Sequence, residues 1–407
     1  MIKYTPRHFL IYGIAVYLLL FFVGPYNFEI RSLTAIGYLA GAYLLWFFGI
    51  RCGRIRWSAG VETKGNIEQD GRLTDFSEFM LVALEGMIAV GTAVYLLYLW
   101  RVMLHGQLVF GDLRNQVSQM PKIFKALQSA CYLAVGIYAT VSYAQPVRSR
   151  LLKVLSKIGL LSPIVLTLVT GARWSTFVIL ILFLTVETGN GGFKRMSAAA
   201  KLLIGLTGIV LLGVCFALFA KRGISTGFTT EMPYYGTIAT KDIWLIIGNT
   251  ALGKPVYSIF YYFTHSVPYY ASVFSDINLD NLAYGALLFR IIGFFWGGFP
   301  AYKDIVSRIP VLIGSYSTFL TGFMRDFGYI GSLLATFVTG LLMGKTWCLR
   351  KRYKLAQIMQ PFFLTMCILS PIYYIWHVGS IDFMIVTTVG LHYLLKLSNR
   401  IYIRKRV

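Results

Sequence analysis

Residues 316–331 read Tyr-Ser-Thr-Phe-Leu-Thr-Gly-Phe-Met-Arg-Asp-Phe-Gly-Tyr-Ile-Gly and hold the most suggestive chemistry in the chain. Arg325 and Asp326 stand at the mouth of a long apolar segment, Phe327–Gly344. Charges at that depth are costly unless they lie at an interface or line a cavity. Asp326 is a candidate general base for a sugar hydroxyl, or else one half of a salt bridge that anchors the helix. Gly328 and Gly331 flank the pair, and their spacing allows another backbone to approach closely, as small residues do between membrane helices. A second candidate base is His265, within Tyr261-Tyr-Phe-Thr-His-Ser-Val-Pro268, because imidazole titrates near neutrality. Hydrogen-bonded packing among the aromatics is the competing reading for it.

Arginine supplies the other half of the chemistry. Guanidinium is permanently charged and grips two phosphate oxygens at once. Arg173 (in Thr170-Gly-Ala-Arg-Trp-Ser-Thr176), Arg222, Arg290, Arg325 and Arg114 all fall in connections on the side away from the main basic clusters. Converging there, they would suit a lipid-linked diphosphate. Snorkelling to headgroups is the alternative, and for Arg114 it has the most weight. Tyr261 and Tyr262 could stack on sugar faces, although Tyr also forms ordinary interfacial belts.

These residues must be positioned by a membrane bundle. The chain is 57% hydrophobic and 13% charged, against roughly 25% charged in soluble domains. Uncharged runs recur at spanning length: Phe9–Phe28, Ser32–Ile50, Ala126–Val147, Leu202–Ala220, Pro255–Ser275, Phe327–Gly344 and Leu355–Ile381. With the shorter runs Gly86–Trp100 (extended back past Glu85), Ile158–Ala172, Trp174–Val186 and Phe383–Leu395, the expectation is about ten to twelve helical spans. The runs are continuous rather than alternating, so a transmembrane barrel is disfavoured. The fold class is all-α and polytopic, one transmembrane domain over 1–407. Residues 221–326 form a large outward region whose prolines, Pro255, Pro268, Pro300 and Pro310, break it into short helices. Glu85, inside a span, is expected to hydrogen-bond another helix.

Of the 38 basic residues, 24 cluster in alternate connections and near the two ends of the chain. The positive-inside rule places those clusters, and both termini, in the cytoplasm. The net charge of +22 is therefore mostly topological, with an attraction to anionic membrane lipids. Basic residues spread over several short loops do not suit nucleic acid. No cleavable signal is expected, since Gly24-Pro25-Tyr26 is not a small-residue cleavage site. The five cysteines are scattered without a CxxC, so neither a disulfide framework nor a zinc site is suggested. A phosphate-binding GxxxxGK[ST], an HExxH and a D-x-D are all absent, which leaves nucleotide hydrolysis and metal-dependent nucleotide-sugar chemistry unsupported. No metal or cofactor is expected.

The chain resembles the bacterial O-antigen and capsule repeat-unit polymerases of the Wzy type. Tyr316-Ser-Thr-Phe with Asp326-Phe-Gly-Tyr-Ile-Gly331, the hairpin Thr170-Gly-Ala-Arg173, and many spans with a large late outward loop carry the resemblance. It implies a membrane glycosyltransferase of the inner membrane that uses undecaprenyl-diphosphate-linked oligosaccharide. Tyr316 would lie on the sugar or acceptor path, and a flippase and a chain-length regulator would be partners. Two other readings stay open. One is the ligase that moves finished O-antigen to lipid A core, which would lean on His265. The other is a polysaccharide flippase or transporter, disfavoured by the few charges in mid-span.

Overall fold

The computed structural model describes residues 5–58, 73–104, 121–143, 147–169, 173–189, 197–198, 202, 205–206, 213, 229–232, 236–277, 282–286, 288, 318–350, 352–374 and 379–404. Most are helical. In chain order the first half gives α1 (Pro6–Val23), β1 (Tyr26–Asn27), α2 (Leu33–Ser58), α3 (Asp75–Leu104), α4 (Lys122–Ala130), α5 (Leu133–Tyr143), α6 (Arg150–Gly159), α7 (Leu161–Val169) and α8 (Arg173–Gly189). The second half gives β2 (Thr229–Met232), β3 (Gly236–Thr240), α9 (Asp242–Gly248), α10 (Gly253–Thr264), α11 (Ser266–Val273), α12 (Phe319–Leu349), α13 (Lys354–Leu369) and α14 (Gly379–Arg404).

Among the described residues five helices are long and apolar enough to cross a membrane: Pro6–Val23, Leu33–Ile55, Asp75–Val102, Phe319–Leu349 and Ile381–Asn399. Several expected spans are instead broken. Ala126–Val147 divides into α4 and α5, and Pro255–Ser275 bends at His265 between α10 and α11. Pro268 falls in the first turn of α11, where its missing N–H costs no helical bond. The run Leu355–Ile381 ends as α13 at Leu369, just before Pro371. Most of Leu202–Ala220 lies outside the described residues.

The structure also departs from a purely helical fold. Three short antiparallel strands form a sheet in the order β1-β3-β2. Its β2 and β3 are rich in threonine, a β-branched residue suited to strands. The sheet fastens onto the end of α1: the Lys241 amide bonds Pro25 O at 2.8 Å, Lys241 Nζ bonds Phe22 O at 2.7 Å, and Trp244 Nε1 bonds Val23 O at 2.8 Å. Those side chains satisfy carbonyls that the last turn of a helix leaves without partners.

The tightest contact between long helices joins α2 to α12. Gly49 and Gly53 on α2 face Gly340 and Gly344 on α12, each pair spaced by four. A Cβ on these four glycines would lie 2.4 Å from Phe337 O, 2.3 Å from Leu341 O, 2.5 Å from Trp46 O and 2.3 Å from Ile50 O respectively. Backbone therefore touches backbone, the arrangement that paired small residues permit between membrane helices. The expectation placed such a contact at Gly328 and Gly331. At Gly331 the space a side chain would need is taken by Phe327 of the same helix, and Gly328 marks a bend.

Hydrogen bonds gather the remaining ends. At one end Glu78 of α3 accepts from the Arg148 and Ser149 amides at 2.8 and 2.9 Å, Ser77 Oγ bonds Asn399 Oδ1 at 2.7 Å, and Lys354 Nζ bonds Tyr143 O at 2.8 Å. At the other, the Phe319 amide bonds Ser370 O at 3.0 Å, Ser266 Oγ bonds Pro371 O at 2.8 Å, and Tyr17 Oη bonds Thr264 O at 2.8 Å.

Gly344→Val should destabilise the protein by about 1–3 kcal/mol, as overpacking of a close-fitted site does. Gly41→Ala on the same α2, where a Cβ meets nothing within 4 Å, should be neutral or slightly stabilising. Thermal unfolding of the detergent-solubilised variants compares the two.

Candidate functional site

The start of α12 explains how two charges come to sit inside the bundle. Thr318 caps the helix, its hydroxyl accepting from the Thr321 amide at 3.4 Å. Seven residues on, Arg325 and Asp326 are 6% and 0% exposed. Two residues further the helix breaks at Gly328, with φ 69° and ψ −170°. That region is essentially restricted to glycine, and a side chain there costs on the order of 1–3 kcal/mol. The Leu282 side chain packs 3.7 Å from where a Gly328 Cβ would be.

The two charged neighbours face different partners. Asp326 Oδ2 accepts from the Leu288 amide at 2.8 Å and from the Tyr374 hydroxyl at 3.2 Å. The Arg325 guanidinium reaches the Tyr269 hydroxyl of α11, with Asp276 within electrostatic range, and the Arg325 carbonyl accepts from the Ala283 amide at 2.8 Å. Asp326 thus holds Leu288 and the chain after α13 against α12, while Arg325 holds α11.

Sequence reasoning missed the residues that set this geometry. Tyr374 lies over Gly322, one turn before Asp326. A Cβ there would come within 2.0 Å of the Tyr374 ring, so only glycine leaves the phenol in reach of the carboxylate. Phe323 braces the same ring edge-on at 5.3 Å. Asp382, in the first turn of α14 and 4% exposed, is a second buried carboxylate acting electrostatically on the Tyr374 hydroxyl. The signal was present in part: Tyr374 belongs to the aromatic run ending at His377, and an acid in a first helical turn is a standard N-terminal feature.

His265 lies in the corner between α10 and α11, two helices too short to cross. Its Nδ1 is 2.6 Å from Tyr261 O, so Nδ1 carries the proton and donates to the carbonyl. The ring stacks on Tyr261 at 4.2 Å. Burial pushes the imidazole down to about 4, which keeps it neutral at neutral pH. One helical turn separates His265 from the Tyr269 that receives Arg325, and the Tyr269 amide bonds His265 O at 2.9 Å. His265, Arg325 and Asp326 therefore occupy one connected region. Tyr261 is buried in a small aromatic core with Tyr26 and Tyr257, and Tyr262 is half-buried beside it.

Arg114, Arg222, Arg290 and Tyr316 lie outside the described residues, as does the side chain of Arg173, the first residue of α8. Among the described residues no group of three or more His, Cys, Asp or Glu is arranged to hold a metal ion. Glu85 differs from its expectation: its carboxylate lies against Gly159, where a Cβ would be 2.1 Å from Oε2, and Oε1 has no hydrogen-bond partner among the described residues. Compared with family models, curated proteins and solved structures, the chain finds no match.

Asp326→Asn keeps an oxygen acceptor for Leu288 N–H and Tyr374 O–H and should fold like the wild type. Asp326→Leu strands both donors and should cost about 1–3 kcal/mol for each, read as a lower unfolding temperature. A separate pH effect belongs to His265. Its folded value lies below the roughly 6.5 of an unfolded histidine, so its contribution is complete above that pH and is lost as pH falls toward 4. His265→Gln should flatten the fall in stability across that window.

Proposed function

We propose that this protein polymerises oligosaccharide repeat units carried on a lipid diphosphate, undecaprenyl diphosphate in bacteria, at the outer face of the inner membrane. The observation that carries the reading is the buried Asp326 and Arg325 at the glycine-broken start of a spanning helix. Such charges inside a membrane bundle mark function more often than packing. The resemblance of residues 316–331 and 170–173 to repeat-unit polymerases supplies the reaction class.

In the proposed reaction a hydroxyl of the acceptor repeat unit attacks the anomeric carbon of the donor's reducing-end sugar. The new glycosidic bond forms as the bond to the diphosphate oxygen breaks. Asp326 takes the hydroxyl proton, and the lipid diphosphate leaves with its charge neutralised by arginine. Arg325, next to Asp326 in the chain, is assigned this role from the sequence together with Arg173, Arg222, Arg290 and Arg114. Preorganised cations of this kind are often the largest catalytic contribution. Asp326 is enclosed in the described conformation, so the proposal requires Leu288 to withdraw when the acceptor enters. Among the described residues, the Leu288 amide meets the carboxylate on that side at 2.8 Å. Tyr261 and Tyr262 would meet sugar only at the exposed edge of Tyr262, and Tyr316 completes the assigned acceptor path. A flippase and a chain-length regulator are the proposed partners.

Ligation of finished polymer to lipid A core is the second reading. It draws on His265, whose Nδ1–H bond to Tyr261 O fixes the tautomer that a general base needs.

A host strain deleted for the gene should show core lipopolysaccharide bearing a single repeat unit. Bare core with accumulated lipid-linked polymer would favour the ligase, and an unchanged ladder would contradict both. Complementation with Asp326→Asn should restore protein to the membrane but no ladder, whereas a full ladder would make Asp326 a structural latch. Arg173→Ala, Arg222→Ala and Arg290→Ala should each abolish the ladder with membrane levels unchanged.

A further inference from the structure

The helix α6, Arg-Leu-Leu-Lys-Val-Leu-Ser-Lys-Ile-Gly over Arg150–Gly159, has three faces of different character. At 3.6 residues per turn, Leu152 and Ser156 fall on one third of its circumference and are buried. Leu151, Val154 and Ile158 fall on the next third and are 58%, 54% and 53% exposed. Arg150, Lys153 and Lys157 occupy the last third and are also exposed.

The buried face is firmly held. Ser149 caps the helix through the Leu152 amide at 3.0 Å, and Glu78 accepts from the two amides just before it, those of Arg148 and Ser149. At the far end Lys157 Nζ reaches Glu187 at 2.7 Å, a carboxylate also bonded by the Tyr138 hydroxyl at 2.9 Å. Those anchors place α6 at the end of the bundle where α3 and α13 start and α5 and α14 finish. The two exposed faces, one apolar and one cationic, therefore lie side by side at the rim of the bundle.

We infer that α6 lies in the membrane interface and binds anionic phospholipid headgroups, its Leu151, Val154 and Ile158 in the acyl boundary and its Arg150 and Lys153 on lipid phosphates. Charge complementarity selects this occupant. An apolar stripe beside a cationic stripe matches a surface that is hydrocarbon below and anionic above, whereas an uncharged lipid leaves the cationic face unmatched. Lys157 is already engaged by Glu187, so the preference for charge rests on Arg150 and Lys153. The inference does not depend on the polymerase reading.

The test uses the full chain in vesicles of equal phosphatidylglycerol and phosphatidylcholine, with a photoreactive benzoylphenylalanine replacing Val154 and radiolabel in one lipid at a time. A second reporter at Leu334, 63% exposed on α12, gives the bulk lipid ratio. Relative to that reference, the α6 reporter should label phosphatidylglycerol several-fold over phosphatidylcholine. Arg150→Gln with Lys153→Gln should return the ratio to the reference while total lipid labelling persists, which also shows that the helix still folds into place. Equal labelling of the two lipids in the otherwise unsubstituted chain, cross-links to protein instead of lipid, or a preference unchanged in the double variant would each overturn the inference.

Discussion

The backbone contact between α2 and α12 is the constraint on which the site depends. Lipid tails are as apolar as leucine, so no hydrophobic force drives one membrane helix onto another, and close packing must supply the association. Four glycines provide it, bringing carbonyls to within 2.3–2.5 Å of where side chains would begin. At 1.5 Å per residue the 31-residue α12 is about 46 Å long. Locking its second half against α2 therefore fixes where its first turns emerge. The bend at Gly328 then sets the direction of the segment carrying Arg325 and Asp326. Above the glycine contact, Tyr38 continues the seam through hydrogen bonds from its hydroxyl to Tyr329 O and, at 3.1 Å, to Ser332 Oγ.

Polar groups inside this bundle are used as fasteners. Asp326 joins three stretches of chain through one oxygen and its own backbone; at the opposite end Glu187 ties α8 to α5 and α6, and Glu78 ties α3 to the two amides just before α6. In a medium that offers no water, a carboxylate with two donors is far less costly than a bare one. A fastener and a catalytic base are not exclusive roles for Asp326. The same donors that hold the carboxylate in place fix the position from which it would act, and Gly322 keeps Tyr374 close enough to be one of them.

Composition and run length were enough to read a helical membrane protein, because burial in lipid demands continuous apolar helices. Asp326 and Arg325 stood out for the same reason, as charges where few occur. Less legible was where runs would break. Pro255–Ser275 is expected in short pieces broken at its prolines, yet the break falls at His265 rather than at Pro268, and α13 stops at Leu369 within a longer apolar run. Hydropathy measures how apolar a stretch is and says nothing about the tertiary bonds, such as Ser266 Oγ to Pro371 O, that hold a bend. The glycine seam was readable in principle from Gly49, Gly53, Gly340 and Gly344, since both helices carry the same spacing. The pairing of Asp326 with Leu288 and Tyr374 was not, because those contacts join residues 38 and 48 positions apart.

The central claim is that this chain by itself joins lipid-linked repeat units. Purified protein in vesicles, supplied with fluorescent lipid-diphosphate-linked repeat units and no other enzyme, tests it most directly. The account predicts a ladder of lipid-linked oligomers, with one lipid diphosphate released for every unit added. Repeat units that stay single, with none released, would contradict it.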